Sequence, residues 1–194
     1  MKSICVYCGS SMGAKPEYAQ AAQAFGRALV DAGCSLVYGG GRVGLMGVIA
    51  DEVLAAGGRV VGVIPELLVD KEVGHQGLTE LHVVPDMHHR KRMMADLSDA
   101  FVALPGGAGT LEELFEVFTW AQLGYHKKAI GLYDISGYYA PLTAMLEHTV
   151  REGFMQKAYL DMLQIDADAR SLLGKLRAYH PPGLDKWATQ REAV

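Results

Sequence analysis

Apolar positions along the chain fall into two rhythms. Short continuous apolar runs occur at 4–7, 35–38, 59–64, 81–84, 100–104, 129–133 and 163–165. Such runs, without polar alternation, predict strands buried on both faces. Between them lie stretches with apolar residues near a 3.6-residue period. The first opens at Pro16, carries Ala21, Ala22, Phe25, Leu29 and Val30 on one side, and stops at Gly33. Further helices are predicted over 45–56, stopped by Gly57-Gly58; over 87–95, capped by Asp86 and ending near Ser98; over 111–123; from Gly137-Tyr138-Tyr139 to about residue 152; and over 167–178. Residues 66–77 are the least regular stretch and read as a loop or short helix.

Strand and helix alternate, and the first three strands with their two helices make βαβαβ, half of a doubly wound sheet. The predicted fold is α/β and Rossmann-like, a mostly parallel sheet with helices on both faces. One domain is expected over 1–180, with a surface tail from Pro181-Pro182-Gly183 to residue 194. Ligands of such sheets sit outside the carboxyl ends of the strands. Three loops rich in small residues occupy that edge: Cys8-Gly9-Ser10-Ser11-Met12-Gly13, Gly39-Gly40-Gly41-Arg42-Val43-Gly44 and Pro105-Gly106-Gly107-Ala108-Gly109-Thr110.

The third loop organises the rest. A strand ends at Pro105, three glycines follow within four residues, and a helix begins at Leu111. Glycines leave no side chain between backbone amides and a ligand, and a helix N-terminus favours an anion. Thr110 is placed to cap the helix or bond the anion, and Glu112 and Glu113 fall in the first helical turn. A plain turn followed by acids that suit the helix dipole explains the same letters without a ligand.

The densest basic cluster, His88-His89-Arg90-Lys91-Arg92, lies on a predicted helix. Its members fan around the axis, so they cannot share one ligand. Arg90 lies four residues before Met94 and is the inward candidate; its planar fork suits a phosphate or a carboxylate. A glycine cradle, an arginine and a helix-start carboxylate together suit hydrolysis at the anomeric carbon of a nucleoside monophosphate. Two other readings stand beside it. One is a nucleotide or cofactor carrier of the same fold without catalysis. The other is an NAD-dependent oxidoreductase, on the G-x-G-x-x-G at Gly39, Gly41 and Gly44, with Pro65-Glu66 where an acidic ribose reader would fall.

Composition narrows the partners. The formal net charge of -4 over 194 residues argues against a nucleic-acid binder. No apolar run approaches the roughly 20 residues that span a bilayer, and the start does not read as a signal peptide, so a cytoplasmic protein is expected. Three cysteines make no disulfide framework. Cys5 and Cys8 form C-x-x-C, but Cys5 lies in a strand and no second pair exists. His75, His82, His88, His89 and His126 show no metal-ligand spacing, so no metal is expected.

Pro105-Gly106-Gly107-Ala108-Gly109-Thr110-Leu111-Glu112-Glu113 resembles the P-G-G-x-G-T-x-x-E motif of LONELY GUY (LOG) proteins, and Met87-His88-His89-Arg90-Lys91 their upstream M-H-x-R-K. Tyr7-Cys8-Gly9-Ser10-Ser11 and the run from Tyr38 to Gly47 are similar to their two earlier loops. The resemblance implies a cytokinin riboside 5'-monophosphate phosphoribohydrolase: a Rossmann-like homodimer that releases free base and ribose 5-phosphate, with no metal and no dinucleotide. It also implies that many bacterial members accept AMP. By position it makes Glu113 the catalytic carboxylate and Arg90 its basic partner, with Lys91 beside it. Gly107, Gly109 and Thr110 become the phosphate cradle, with Ala108, Leu111 and Glu112 in the same binding stretch. Glu72 resembles a substrate-contacting acid, Thr119 matches a helix position near substrate, and Gly9, Ser10, Gly40 and Gly41 are further loop contacts. The segment after Glu72, Gly74-His75-Gln76-Gly77, departs from the plant-like pattern.

Overall fold

A computed structural model describes residues 1–69 and 74–183. Seven strands form one sheet: β1 (Ser3–Tyr7), β2 (Ser35–Tyr38), β3 (Val60–Pro65), β4 (Glu80–Val84), β5 (Ala100–Ala103), β6 (Ala129–Tyr133) and β7 (Leu163–Asp166). Their order is β4-β3-β2-β1-β5-β6-β7, and every paired neighbour is parallel. The helices are α1 (Pro16–Asp31), α2 (Gly44–Ala55), α3 (Glu66–Val69), α4 (Met87–Asp96), α5 (Ala108–Gln122), α6 (Ala140–Arg151), α7 (Lys157–Leu160) and α8 (Ala169–Ala178).

The unbroken apolar strands serve two cores at once. Ile4 and Val6 of β1 face a cluster with Phe25 and Leu29 of α1, Ile49 and Val53 of α2, and Leu172 of α8. Cys5 and Tyr7, the alternate residues, face a second cluster with Met94 of α4, Leu114 and Phe118 of α5, and Leu146 of α6. Successive strand side chains point to opposite faces, so covering both faces requires both sets to be apolar. The sequence expectation of a doubly wound sheet holds, and α7 adds a short helix that the apolar pattern did not signal.

Chain order reverses at the β1–β5 pair, where Ile4 lies beside Ala100 and Tyr7 beside Ala103. A crevice opens outside the strand carboxyl ends at such a switch point, because the two following connections leave toward opposite faces. The loops after β1 and β5 flank that crevice.

The largest departure from the sequence reading is the start of α5. The helix begins at Ala108, with Gly107 as its N-cap, rather than at Leu111. Ala108 and Gly109 therefore form its first turn with Thr110, Thr110 is not the cap, and Glu112 and Glu113 lie beyond that first turn. The rest of the helix supplies enough apolar burial, through Leu114, Val117, Phe118 and Ala121, to hold a glycine-containing first turn that propensity disfavours.

Candidate active site

The cradle is built by close backbone packing. The Leu104 N–H donates to Tyr7 O at 2.9 Å, and the Gly9 N–H donates to Pro105 O at 3.1 Å. The Leu45 N–H donates to Gly9 O at 3.0 Å, so the turn opening α2 hangs on the same loop. A Cβ on Gly106 would stand 2.2 Å from Thr110 Oγ1 and 2.8 Å from Gly9 N. One on Gly44, whose φ is +58°, would meet the Ser10 and Ser11 backbone at 2.3 Å. Neither position has room for any side chain. Gly107 and Gly109 differ, since a Cβ on either meets nothing within 4 Å. Internal packing does not explain glycine there, whereas open space in front of the α5 amides does.

Arg90 comes from the other side. Asp86 caps α4 by accepting the His89 N–H at 2.9 Å, which fixes where the helix starts. The Arg90 side chain then runs inward and is 5% exposed. Its Nε donates to Val63 O at 3.1 Å and its Nη2 to Gly39 O at 2.7 Å. A Cβ on Gly39 would lie 2.1 Å from Nη2. The second glycine run is thereby explained without a dinucleotide: Gly39 makes room for the guanidinium, Gly40 O accepts the His75 N–H, and Gly41 bridges to Gly74.

These elements enclose a cavity of about 290 Å3 lined by Cys8, Gly9, Ser10, Met46, Leu68, Met87, Arg90, Gly107, Ala108, Gly109, Thr110, Glu112 and Glu113. Of the residues expected from sequence, Gly9, Ser10, Arg90, Gly107, Ala108, Gly109, Thr110, Glu112 and Glu113 meet there. Five others do not line it. Gly40 and Gly41 serve the neighbouring loop, and Leu111 packs against the core. Thr119 is exposed further along α5. Lys91 also stays outside the cavity lining: its Nζ reaches Glu112 Oε1 at 2.6 Å and Glu116 Oε1 at 3.0 Å, so it orders the outer face of α5. Glu72 lies outside the described residues. Cys8, Met46, Leu68 and Met87 were not singled out from sequence. Met87 stands one helical turn before Arg90, and that i, i+3 spacing was the available signal.

The electrostatics separate inert groups from reactive ones. Burial, then the Glu113 charge and Cys5, push the Cys8 thiol far above its ordinary value. It therefore remains a neutral, weakly nucleophilic wall. Burial lowers Lys91, but its bonds to Glu112 and Glu116 outweigh that and raise it. The stability it lends is complete below its ordinary value and is lost only as pH climbs through the raised one. Among the described residues no group of three or more His, Cys, Asp or Glu could hold a metal ion. A larger groove of about 670 Å3 between α6, α7 and β7 lies away from the switch point and contains no cradle.

A family model described as "Possible lysine decarboxylase" matches residues 46–176. A cytokinin riboside 5'-monophosphate phosphoribohydrolase of Arabidopsis thaliana is 47% identical over 180 residues, covering 93% of this chain and 83% of that relative. One of Rhodococcoides fascians is 48% identical over 178 residues, covering 91% and 90%. The chain belongs to the LONELY GUY (LOG) family. Solved structures similar to this LOG-family chain include the molybdenum cofactor carrier protein of Chlamydomonas reinhardtii, with TM-score 0.69 and 19% identity over 92% of this chain and 99% of that one. That likeness reflects the shared fold. The decarboxylase wording finds no support in the LOG-family cavity, where an arginine is held by carbonyls and no lysine lines the wall among the described residues.

Because Gly109 faces open space, Gly109→Ala should fold normally. Alanine in a helix is favoured by up to about 1 kcal/mol, so its melting temperature should equal or exceed the parent's. Its methyl group would occupy the cradle, and titration calorimetry should show affinity for ribose 5-phosphate reduced about ten-fold or more.

Proposed function

We propose that this chain is an N-glycosidase that hydrolyses nucleoside 5'-monophosphates to free base and ribose 5-phosphate, AMP and cytokinin riboside monophosphates among them. The observation that carries the reading is the meeting of Gly107, Gly109, Arg90 and Glu113 in one cavity at the β1–β5 switch point. The α5 N-terminus offers amides and a partial positive charge to the 5'-phosphate. With the phosphate seated there, the sugar falls toward the carboxylate further along the same helix.

Glu113 is partly buried in a wall with Cys8, Met46 and Leu68. A carboxylate in such a site can steady positive charge growing on the ribose ring as the base departs, or take a proton from attacking water. Arg90 contributes a fixed positive charge across the same cavity, and its carbonyl bonds keep the guanidinium from swinging into solvent. In this reaction water supplies hydroxyl to the anomeric carbon, the carbon–nitrogen bond breaks, and the base leaves carrying a proton. The cavity's Met46, Leu68 and Met87 offer an apolar wall to a planar base.

A second part of the proposal concerns assembly and place. We infer a cytoplasmic homodimer, on the family resemblance and on three free, buried cysteines that suit a reducing compartment. No helix among the described residues is long and apolar enough to cross a membrane. Phe115 and Thr119 are exposed on one side of α5 and offer a face for such a contact. Sedimentation should give twice the 21.0 kDa chain mass; a monomer at micromolar concentration would rule the dimer out.

For catalysis, chromatography of the purified protein with a panel of nucleoside monophosphates should show free base from AMP or a prenylated relative. Glu113→Gln should lower kcat by about 10²–10⁴-fold, the usual range for a positioned acid–base group, with the melting temperature preserved. Release of no base from any member of the panel would defeat the proposal, and nucleotide binding without turnover would favour the carrier reading.

A further inference from the structure

Tyr138 and Tyr139 lie outside the cavity just described, yet both hydroxyls reach the turn that forms the cradle. Tyr139, 1% exposed, donates from its hydroxyl to Leu104 O at 2.6 Å. Tyr138 donates from its hydroxyl to Gly106 O. Pro105 O, between them, accepts the Gly9 N–H, and Gly107 O accepts the Leu111 N–H. All four carbonyls from Leu104 to Gly107 are therefore committed.

A trans peptide fixes the meaning of this. Its C=O and the next N–H point in opposite directions, and none of the described peptides is cis. With Gly106 O held toward Tyr138, the Gly107 N–H is turned away from it. Tyr138 lines a small cavity of about 220 Å3 behind the turn, with Tyr18, Met12 and Leu45. Gly107 lines both that cavity and the one holding Arg90 and Glu113. The tyrosine grips the rear of the peptide, and the amide faces the front.

The turn that delivers the two tyrosines is strained. Ser136 has φ +53° and Gly137 φ +70°, and Ser136 is the one non-glycine residue at positive φ among the described residues. A serine in that region costs about 1 kcal/mol or more, and such outliers gather where a side chain must be aimed. Asp134 Oδ1 accepts the Tyr139 N–H at 2.7 Å, locking the same turn from its other end. The Tyr138 ring stands edge-on to Tyr18 at 5.8 Å and to Tyr139 at 5.1 Å, so its hydroxyl has a fixed origin.

We propose that Tyr138, supported by Tyr139, is a positioning residue for the phosphate cradle: it sets the Gly106–Gly107 peptide plane so that the Gly107 amide faces the phosphate. Without the hydroxyl, the peptide can rotate and bring a carbonyl dipole toward the anion. This inference rests on the phosphate-cradle reading above and assigns Tyr138 no part in the chemical step.

The test compares the parent with Tyr138→Phe, which keeps the ring and its edge contacts. Calorimetric titration with ribose 5-phosphate should show Kd raised about five-fold or more, the scale of one lost hydrogen bond. The KM for AMP should rise in parallel, with kcat within two-fold and an almost unchanged melting temperature. An unaltered Kd overturns the proposal. So does a fall in kcat together with a melting temperature several degrees lower, which is the mark of a merely structural contact. Tyr139→Phe provides the second variant, and its Kd should move in the same direction. Failure of the N-glycosidase reading would appear separately, as a parent protein that binds ribose 5-phosphate but releases no base.

Discussion

The site depends on one constraint at the end of β5: the carbonyls must be tied back so that amides are left facing the crevice. An anion placed before a turn with unsecured carbonyls would meet dipoles of both signs. Here the tie is made by the neighbouring loop, through Gly9, and by two tyrosines from the connection after β6. The β1–β5 pairing brings Gly9 within reach, so the topology of the sheet and the polarity of the cradle have a common origin. Gly106 and Gly44 are the points where this packing is tightest, and both approach backbone atoms that cannot move aside cheaply.

Charge is arranged on the same frame. Arg90 is buried, and a buried cation is costly unless its donors are used. Two backbone carbonyls, from β3 and from the turn after β2, accept from two of them. Arg90 lines the cavity, while Lys91, one position on, pairs with Glu112 and Glu116 at the surface of α5. Adjacent basic residues acquire different roles because successive helix positions point about 100° apart. Glu112 and Glu113 divide in a similar way, with Glu112 engaged outward by Lys91 while Glu113 lies among the partly buried wall residues.

Much of this was legible in the sequence. Unbroken apolar strands announced a sheet covered on both faces, and glycine clusters after strands marked its ligand edge. The inward choice of Arg90 followed from its i, i+4 relation to Met94. What escaped reading depended on contacts distant along the chain. The early start of α5 is set by burial further along the helix, which local propensity does not record. The G-x-G-x-x-G letters resembled a dinucleotide fingerprint because glycine is needed equally for a phosphate and for a guanidinium, and only the fold shows Arg90 against Gly39. Tyr138 and Tyr139 lie more than thirty residues from the carbonyls they hold, with nothing in local spacing to link them. Leu68 belongs to the short helix α3, whose place over the cavity is tertiary, and Glu72 falls outside the described residues.

The most direct measurement is the response of backbone amides to a bound phosphate. In 15N-labelled protein titrated with ribose 5-phosphate, the Gly107, Ala108 and Gly109 N–H resonances should shift downfield and saturate together, at the affinity found by calorimetry. Saturable binding that leaves those three amides unmoved while perturbing resonances elsewhere would contradict a cradle at the start of α5.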